Sequence, residues 1–380
     1  MAASSLIDNT IRNTLRNITK ECTLPQKKGV KELLLSLMRE GTTVVNHLAD
    51  TEKKVRVGKQ AERYRRHLET IDLSVAIEER IGRTLPRVKE NTVIAYDLSD
   101  IAKPHAKKME GMARIFDGSE RSGSKGYIFH GVSIFNQPVI MQLHDSNAKT
   151  LNQTRLKVIE RVQKQTETRG IWVFDRGNDD QQFFAALKAR DLRFVVRLRS
   201  NRHFIEKETG EIKACDAFVP GTYQVLLPKS REEYTLVVHQ YHPVLQPIRV
   251  LTNVAGKGAK EIIETYLERW DVENLFKQMK LKYNLEAIRL LSLKKIKNLI
   301  ALVQMVVSLN NSIFEQVEKE KQGALSLSFS SFCYYRSLSR NRFSFTDFIA
   351  TITPEINTPV FRSPQPALFS WRQLGKLGVF

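Results

Sequence analysis

The stretch that decides the fold is Tyr266-Leu-Glu-Arg-Trp-Asp-Val-Glu-Asn-Leu-Phe-Lys-Gln-Met-Lys280. It contains a phenol, an acid and several cations at spacings that suit one face of a helix. On an α-helix, with about 100° between successive residues, Tyr266, Arg269, Glu273 and Lys280 fall within a stripe about 60° wide. Lys277 lies on the same stripe. The stretch therefore predicts an acid-bearing helix with one charged face. The alternative is a solvated face with ordinary i,i+4 ion pairs.

Two further carboxylates end short apolar runs. Residues 91–97, Asn-Thr-Val-Ile-Ala-Tyr-Asp, predict a buried strand that ends at Asp97, and residues 170–175, Gly-Ile-Trp-Val-Phe-Asp, predict a second that ends at Asp175. Asp in this position is often only a turn residue. Asp100 is a rival to Asp97, but we expect it to cap the next turn. Two strand acids together with a helical Glu are harder to explain as caps, so we interpret them as one set.

Three carboxylates are what a pair of Mg²⁺ ions requires, because Mg²⁺ takes hard oxygen ligands. Two such ions about 4 Å apart activate a nucleophile and stabilise the leaving oxygen of a phosphoryl displacement. Asp97, Asp175 and Glu273 are therefore the predicted metal ligands and catalytic residues. Arg269 and Lys280 would hold a negatively charged substrate.

The spacing Tyr, two residues, Arg, three residues, Glu, six residues, Lys resembles the YREK motif of the DDE transposases of bacterial insertion sequences. The stretches that begin at Tyr96 with Tyr-Asp-Leu-Ser-Asp and at Val173 with Val-Phe-Asp-Arg-Gly resemble the first and second acid boxes of that family. The resemblance covers about residues 90–285.

This resemblance implies a DNA transposase with a ribonuclease-H-like catalytic core and two Mg²⁺ ions, for which Mn²⁺ can substitute. It implies cleavage at the terminal inverted repeats, a hairpin intermediate and strand transfer into target DNA. Its partners would be double-stranded DNA, at transposon ends and target, and a second copy of the chain on paired ends, with no membrane and no nucleotide cofactor. Tyr266, Arg269, Lys277 and Lys280 would contact DNA.

The order of elements supports an α/β fold on its own. After the first strand, the pattern predicts a hairpin, a helix, the Asp175 strand, a helix and a further strand. The predicted elements after the first strand span residues 127–135, 138–144, 153–168, 170–175, 179–190 and 194–199. Short alternating runs separated by Pro and Gly follow, and they predict an inserted β-subdomain.

We therefore expect five sections. They are a helical DNA-binding region (1–88), a ribonuclease-H-like core in two parts (89–199 and 253–290), a β-rich insertion (200–252) and a helical C-terminal region (291–380). Relatives can stack a Trp of the insertion on an extruded base. This insertion has no Trp, so the stacking residue stays unassigned among Phe204, Phe218, Tyr223, Tyr234 and Tyr241.

Composition favours a polyanionic partner. Sixty Lys and Arg against 41 Asp and Glu give a net charge of +19 and a sequence pI near 9.8. A basic run in the N-terminal section predicts a DNA-contacting helix, with a solvated helix face as the alternative. Its predicted DNA contacts are Lys53, Lys54, Arg63, Arg65 and Arg66.

Three isolated cysteines and no predicted membrane span fit a reduced cytoplasmic protein. The resemblance implies a bacterial protein associated with the nucleoid. Three other functions stay open at this point. They are a ribonuclease-H-like metal-dependent DNA nuclease without strand transfer, a non-catalytic DNA-binding derivative of a transposase, and a basic α/β protein whose acids are structural.

Overall fold

A computed structural model describes residues 2–50, 55–117, 122–145, 150–240 and 246–319. The helices are α1 (Ala2–Ile18), α2 (Leu24–Glu40), α3 (Val45–Ala49), α4 (Val57–Thr70), α5 (Ser74–Thr84), α6 (Leu151–Thr166), α7 (Gln181–Lys188), α8 (Ala259–Leu267), α9 (Trp270–Lys277) and α10 (Leu293–Lys319). The strands are β1 (Val93–Ala102), β2 (Ala113–Asp117), β3 (Ser122–Ile134), β4 (Gln137–Leu143), β5 (Ile171–Phe174), β6 (Arg193–Arg197), β7 (His203–Glu206), β8 (Ile212–Ala214), β9 (Gly221–Leu226), β10 (Glu233–His239) and β11 (Ile248–Thr252).

All of these strands join one sheet. β3 runs antiparallel to both β1 and β4, whereas β1 and β5, and then β5 and β6, are parallel. The strand order β4-β3-β1-β5-β6 with these directions is that of a ribonuclease-H-like core. The predicted fold class is therefore confirmed.

The central strand β5 explains why the core has two layers of helices. All four of its residues are buried, and they alternate between two hydrophobic clusters. Ile171 and Val173 face the cluster that holds α2, α4, α8, α9 and α10, and Trp172 and Phe174 face the cluster that holds α6 and α7. Because successive side chains of a strand point to opposite faces, a continuous apolar run marks a sheet covered on both sides.

Local sequence signals set the elements between the acid-bearing strands. The predicted hairpin is present as β3 and β4, and its turn residues Phe135 and Asn136 have φ values of 54° and 53°. Two consecutive positive φ angles are typical of the tight turn that suits the twist of a hairpin. Thr150 starts α6, where its hydroxyl accepts a hydrogen bond from the backbone N–H of Gln153 at 3.2 Å.

The β-rich insertion continues the core sheet. β11 pairs antiparallel with β6, β10 pairs with β11 and β9, and β7 pairs with β9 and β8. The fully buried carboxylate of Asp179 ties the insertion to the loop that follows β5, since it accepts hydrogen bonds from the backbone N–H of Arg199 and from Nε of Arg202, both at 2.8 Å. The insertion is thus anchored beside the second acid box.

The prediction of one continuous helix across residues 266–280 was wrong. α8 ends at Leu267, α9 begins at Trp270, and a π-helix follows at Gln278–Lys282. At the break, the backbone N–H of Arg269 donates to the carbonyl of Tyr266 at 3.0 Å, a tighter i to i−3 bond. Side chains three apart eclipse in such a turn, so Arg269 stacks on the Tyr266 ring at 5.6 Å from its centroid.

The N-terminal helices pack on α10. The side-chain amide of Asn298 donates to the carbonyls of Leu68 and Ile71 at 2.9 and 3.0 Å and joins α10 to the end of α4. In the described ranges, no helix is long and apolar enough to cross a membrane. Cys22 and Cys215 are free thiols, and Cys333 lies outside the described residues.

Candidate active site

The register of the sheet brings Asp97 and Asp175 together. β1 and β5 pair in parallel at Ala95 with Val173, and the same offset of two residues leads to Asp97 and Asp175. Pairing between these strands stops at that step, so the two carboxylates lie where the strands part. β1 runs on to Ala102 against β3, so the prediction that its strand ends at Asp97 was wrong.

Asp97 is largely buried, with 13% of its side chain exposed. Burial, and then the charge of Asp175, raise the pKa of Asp97 to about 7, while Arg269 and the backbone N–H of Leu98 oppose that shift. The N–H of Leu98 donates to Oδ1 of Asp97 at 2.8 Å. The raised pKa therefore reflects first the burial of this carboxyl and then its proximity to a second acid.

Glu273 lies on α9 and is joined to Asp97 through Arg269. Arg269 lies between the acids, since its Nη1 donates to Oδ2 of Asp97 at 2.7 Å and its Nη2 lies 2.5 Å from Oε1 of Glu273. Burial alone would lower the pKa of Arg269, but Tyr266, Asp97 and Glu273 together raise it. One buried guanidinium therefore joins the strand acid to the helix acid.

A second layer of polar side chains holds Asp175. The side-chain amide of Asn178 donates to Oδ1 of Asp175 in the 3-10 turn that follows β5. Oδ1 of Asn178 accepts in turn from Nη1 of Arg155 on α6 at 2.5 Å. Arg155 stacks on the ring of Phe183 at 3.7 Å and also donates to Asn152 at 2.7 Å. These contacts fix the orientation of the Asp175 carboxylate.

A glycine lets α9 approach the sheet. Gly131 of β3 lies directly opposite Asp97 of β1. The ring of Phe276, one turn of α9 after Glu273, lies so close to Gly131 that an added Cβ would meet it at 2.4 Å. A larger residue at position 131 would require the Phe276 ring, and with it the contact of α9 with β3, to shift.

The remaining residues of the motif lie around this acid set. Tyr266 is buried, with 2% of its surface exposed, and its hydroxyl lies 3.4 Å from Nε of Arg269. Lys277 is exposed and lies 5.8 Å from the centroid of the Trp270 ring. Nζ of Lys280 lies 3.7 Å from Oδ1 of Asp100. Asp100 therefore lies within β1 and pairs with Lys280. The expectation that it caps a turn was wrong.

The basic residues predicted to contact DNA in the N-terminal section differ in their surroundings. Arg63 pairs with Glu32 of α2. Arg65 donates to Asn46 at 2.7 Å. Arg66 is exposed on α4, and Lys53 and Lys54 lie outside the described residues. Their contact with DNA stays a prediction.

Of the aromatic residues considered for base stacking, Phe204, Phe218 and Tyr234 are buried, Tyr223 is partly buried and Tyr241 lies outside the described residues. None of the three buried rings can meet a base without rearrangement. The stacking residue therefore stays unassigned.

The donor set suits hard divalent cations. It consists of carboxylates without thiols, and burial together with the charges of Asp175 and Glu273 raises the pKa of Asp97. As the side chains stand, no group of three or more His, Cys, Asp or Glu in the described part of the chain is arranged to hold a metal ion. Arg269 provides the positive charge between Asp97 and Glu273 instead. Metal binding would therefore require the Arg269 guanidinium to break its ion pair with Asp97, with Glu273 or with both.

Sequence reasoning missed the residues that support the acids. Asn178, Arg155 and Gly131 are not among the residues predicted to form the site. The spacing Asp175-Arg-Gly-Asn178 carries a signal, because an Asp and an Asn three apart share one side of a 3-10 turn. The role of Arg155 depends on the packing of α6 and had no signal in the sequence.

A family described as "Transposase DDE domain" matches residues 89–309, which is more than half of the chain and includes the positions of Asp97, Asp175 and Glu273. No curated protein gave a significant match. A solved structure similar to this chain is the cryo-EM structure of the piggyBac transposase synaptic complex with hairpin DNA, with 11% identity and a TM-score of 0.43. The match covers 85% of this chain and 65% of that chain, less than two thirds of its length. From the family match, the chain belongs to the DDE transposase domain family.

Proposed function

We propose that the chain is a YREK-type DNA transposase of a bacterial insertion sequence, which cleaves the ends of its element and joins them to target DNA with divalent metal ions. One observation supports this proposal most. The pairing of β1 with β5 aligns Asp97 with Asp175, and the guanidinium of Arg269 joins Asp97 to Glu273. The family match supports a transposase, and the net charge of +19 supports a nucleic acid as the partner.

In this proposal the three acids hold two Mg²⁺ ions, for which Mn²⁺ can substitute. Bound there, the ions would supply a nucleophile active at neutral pH and stabilise the leaving oxygen of the phosphodiester. Asn178 keeps Asp175 oriented, and Gly131 keeps α9 close enough for Glu273 to join the set. Displaced from an acid, the guanidinium of Arg269 would lie beside the site and could hold a phosphate of the cleaved end, since its fork suits bidentate contact.

Lys277 and Lys280 extend this positive surface along α9 and the π-helix, and we propose that they contact the DNA backbone. Arg63, Arg65, Arg66, Lys53 and Lys54 would add contacts to double-stranded DNA further from the cut. We also propose that the protein forms a hairpin at the cleaved end and that two copies assemble on paired ends.

Strand joining tests the proposal against a nuclease that only hydrolyses DNA. A labelled, precut duplex that carries the inverted repeat flanking the gene is incubated with the protein, supercoiled plasmid and Mg²⁺. Label that joins the plasmid with wild type, and not with Glu273→Gln, is the expected result. Plasmid that is nicked or cut without joined label would contradict transposition and favour the nuclease.

A further inference from the structure

A second cationic feature lies on elements that the acid site does not use. A cavity of about 230 Å³ opens between α1, α5, the turn of the β3–β4 hairpin and α10. Three arginines line it together with several neutral polar side chains. The residues that matter here are Arg80, Arg83, Arg87, Asn17, Thr84 and Ser312.

Arg80 is the informative member of this group. It is partly buried, and the one described hydrogen bond of its side chain is a weak one, from Nη1 to the sulfur of Met305 at 3.9 Å. The neighbouring carboxylate, Glu79, is already engaged by Lys20 at 3.0 Å and by Arg83 at 3.1 Å. Across the described ranges, no carboxylate forms an ion pair with Arg80.

A guanidinium in this position is costly. Burial lowers the pKa of Arg80 to about 10, so the side chain stays charged at neutral pH. A charge taken out of water destabilises the folded state unless it is paired and hydrogen-bonded. A sulfur atom is a weak acceptor and leaves most of the five N–H donors of Arg80 without strong partners. The cavity therefore suits a ligand that brings negative oxygen atoms.

The rest of the lining matches such a ligand. Arg87 stacks over Phe135 at 5.2 Å from the ring centroid, which holds its guanidinium at the hairpin end of the cavity. Arg83 is half exposed at the mouth. Ser312 adds a hydroxyl and Asn17 adds an amide, whereas the hydroxyl of Thr84 donates to the backbone carbonyl of Arg80 at 3.0 Å. Several guanidinium forks beside neutral polar side chains are the chemistry that recognises tetrahedral oxyanions such as phosphate.

We propose that this cavity binds a phosphate-type oxyanion through Arg80 and Arg87. The site is separate from the three acids and does not depend on their catalytic role. Two sources carry this chemistry, a backbone phosphodiester of bound DNA and free inorganic phosphate. The two can be told apart by experiment.

Thermal unfolding of the full-length protein tests the site itself, with inorganic phosphate titrated against chloride at constant ionic strength. Wild type should gain melting temperature saturably, whereas Arg80→Gln should need at least tenfold more phosphate for the same gain. Arg161→Gln is the matched control, because Arg161 pairs with Glu78 outside the cavity. Arg80→Gln loses no described carboxylate, so we expect it to fold, and Arg87→Gln is a second variant expected to weaken the response several-fold.

Binding of non-specific duplex DNA at several salt concentrations identifies the source. If a DNA phosphate occupies the cavity, Arg80→Gln should weaken binding and reduce the salt dependence by about one phosphate contact. If free phosphate is the ligand, DNA binding should match the control while the phosphate response is lost. Equal behaviour of Arg80→Gln and Arg161→Gln in both measurements would overturn the proposal.

Discussion

Nη1 of Arg269 donates to Oδ2 of Asp97 at 2.7 Å, although 172 positions separate the two residues in the chain. The same guanidinium reaches Glu273 at 2.5 Å with its other nitrogen. Only 7% of the Arg269 side chain is exposed, so the pair is weakly screened by solvent. Arg269 thus acts as an internal cation that neutralises the acids of the strand and the helix.

Substitution of Arg269 should expose this role. In the presence of EDTA, Arg269→Gln should lower the free energy of unfolding by about 3 kcal/mol, because removal of one partner leaves a buried charge uncompensated. Added Mg²⁺ should then raise the melting temperature of the variant more than that of wild type, since the acids lack their internal cation. Differential scanning calorimetry with and without Mg²⁺ measures both effects.

Lys277→Gln is the control for Arg269→Gln, because Lys277 lies on the same helix, is exposed and pairs with none of the three acids. It should leave unfolding in EDTA unchanged within about 0.5 kcal/mol. If Arg269→Gln gains no more from Mg²⁺ than this control does, Arg269 does not compete with metal for the acids.

The hydrogen bond from Asn178 to Asp175 should matter for catalysis and little for DNA affinity. Loss of a residue that orients a metal ligand typically reduces activity or metal affinity about 10- to 100-fold. Asn178→Ala should therefore reduce both end cleavage and Mn²⁺ affinity by that order, with end binding retained. Asn152→Ala removes the other amide that accepts from Arg155 without a contact to Asp175, and it should remain active. Equal losses in the two variants would show a general effect of Arg155 packing.

Gly131→Ala should separate Glu273 from the strand acids. Its new methyl group would overlap the Phe276 ring, and overpacking of this kind costs about 1–3 kcal/mol. Cleavage should fall more than stability alone explains, since α9 carries the third acid. Gly123→Ala on the same strand meets its nearest neighbour, a flexible Arg114 side chain, at 3.5 Å and serves as the control. Full cleavage by Gly131→Ala would contradict the close approach of α9.

Acid should destabilise the protein through a buried histidine. His130 accepts or donates to Tyr96 at 2.7 Å, and burial lowers its pKa to about 3, with His144 adding to the shift. Because the folded pKa lies below the ordinary value near 6.5, the unfolded state binds more protons between these values, and stability is lost as the pH falls. This group alone should remove about 2 kcal/mol between pH 7 and pH 5.

Denaturant unfolding at several pH values checks this contribution. His130→Gln cannot take up the proton, so its stability should fall less steeply over the same interval, whatever its stability at pH 7. Parallel pH profiles of wild type and His130→Gln would show that His130 does not titrate on unfolding.

The sequence predicted the acid set because its signals are local. An apolar run that ends at Asp175 and a fixed spacing around Glu273 are visible without the fold. The alignment of Asp97 with Asp175 was not visible, because it depends on the register of two strands separated by a hairpin and a helix. The contacts of Arg269 could not be predicted either. Its spacing indicated a functional residue, but the direction of its side chain depends on the break between α8 and α9.

The most direct measurement of the central claim is Mg²⁺-dependent cleavage of a labelled transposon-end duplex by four single variants beside wild type. Asp97→Asn, Asp175→Asn and Glu273→Gln should each lose cleavage while they retain end binding, because each removes a carboxylate from one metal-binding set. Asp100→Asn, three residues from Asp97 and paired with Lys280 instead, should still cleave. Cleavage that survives in any of the first three variants, or is lost only in Asp100→Asn, would contradict the assignment of Asp97, Asp175 and Glu273.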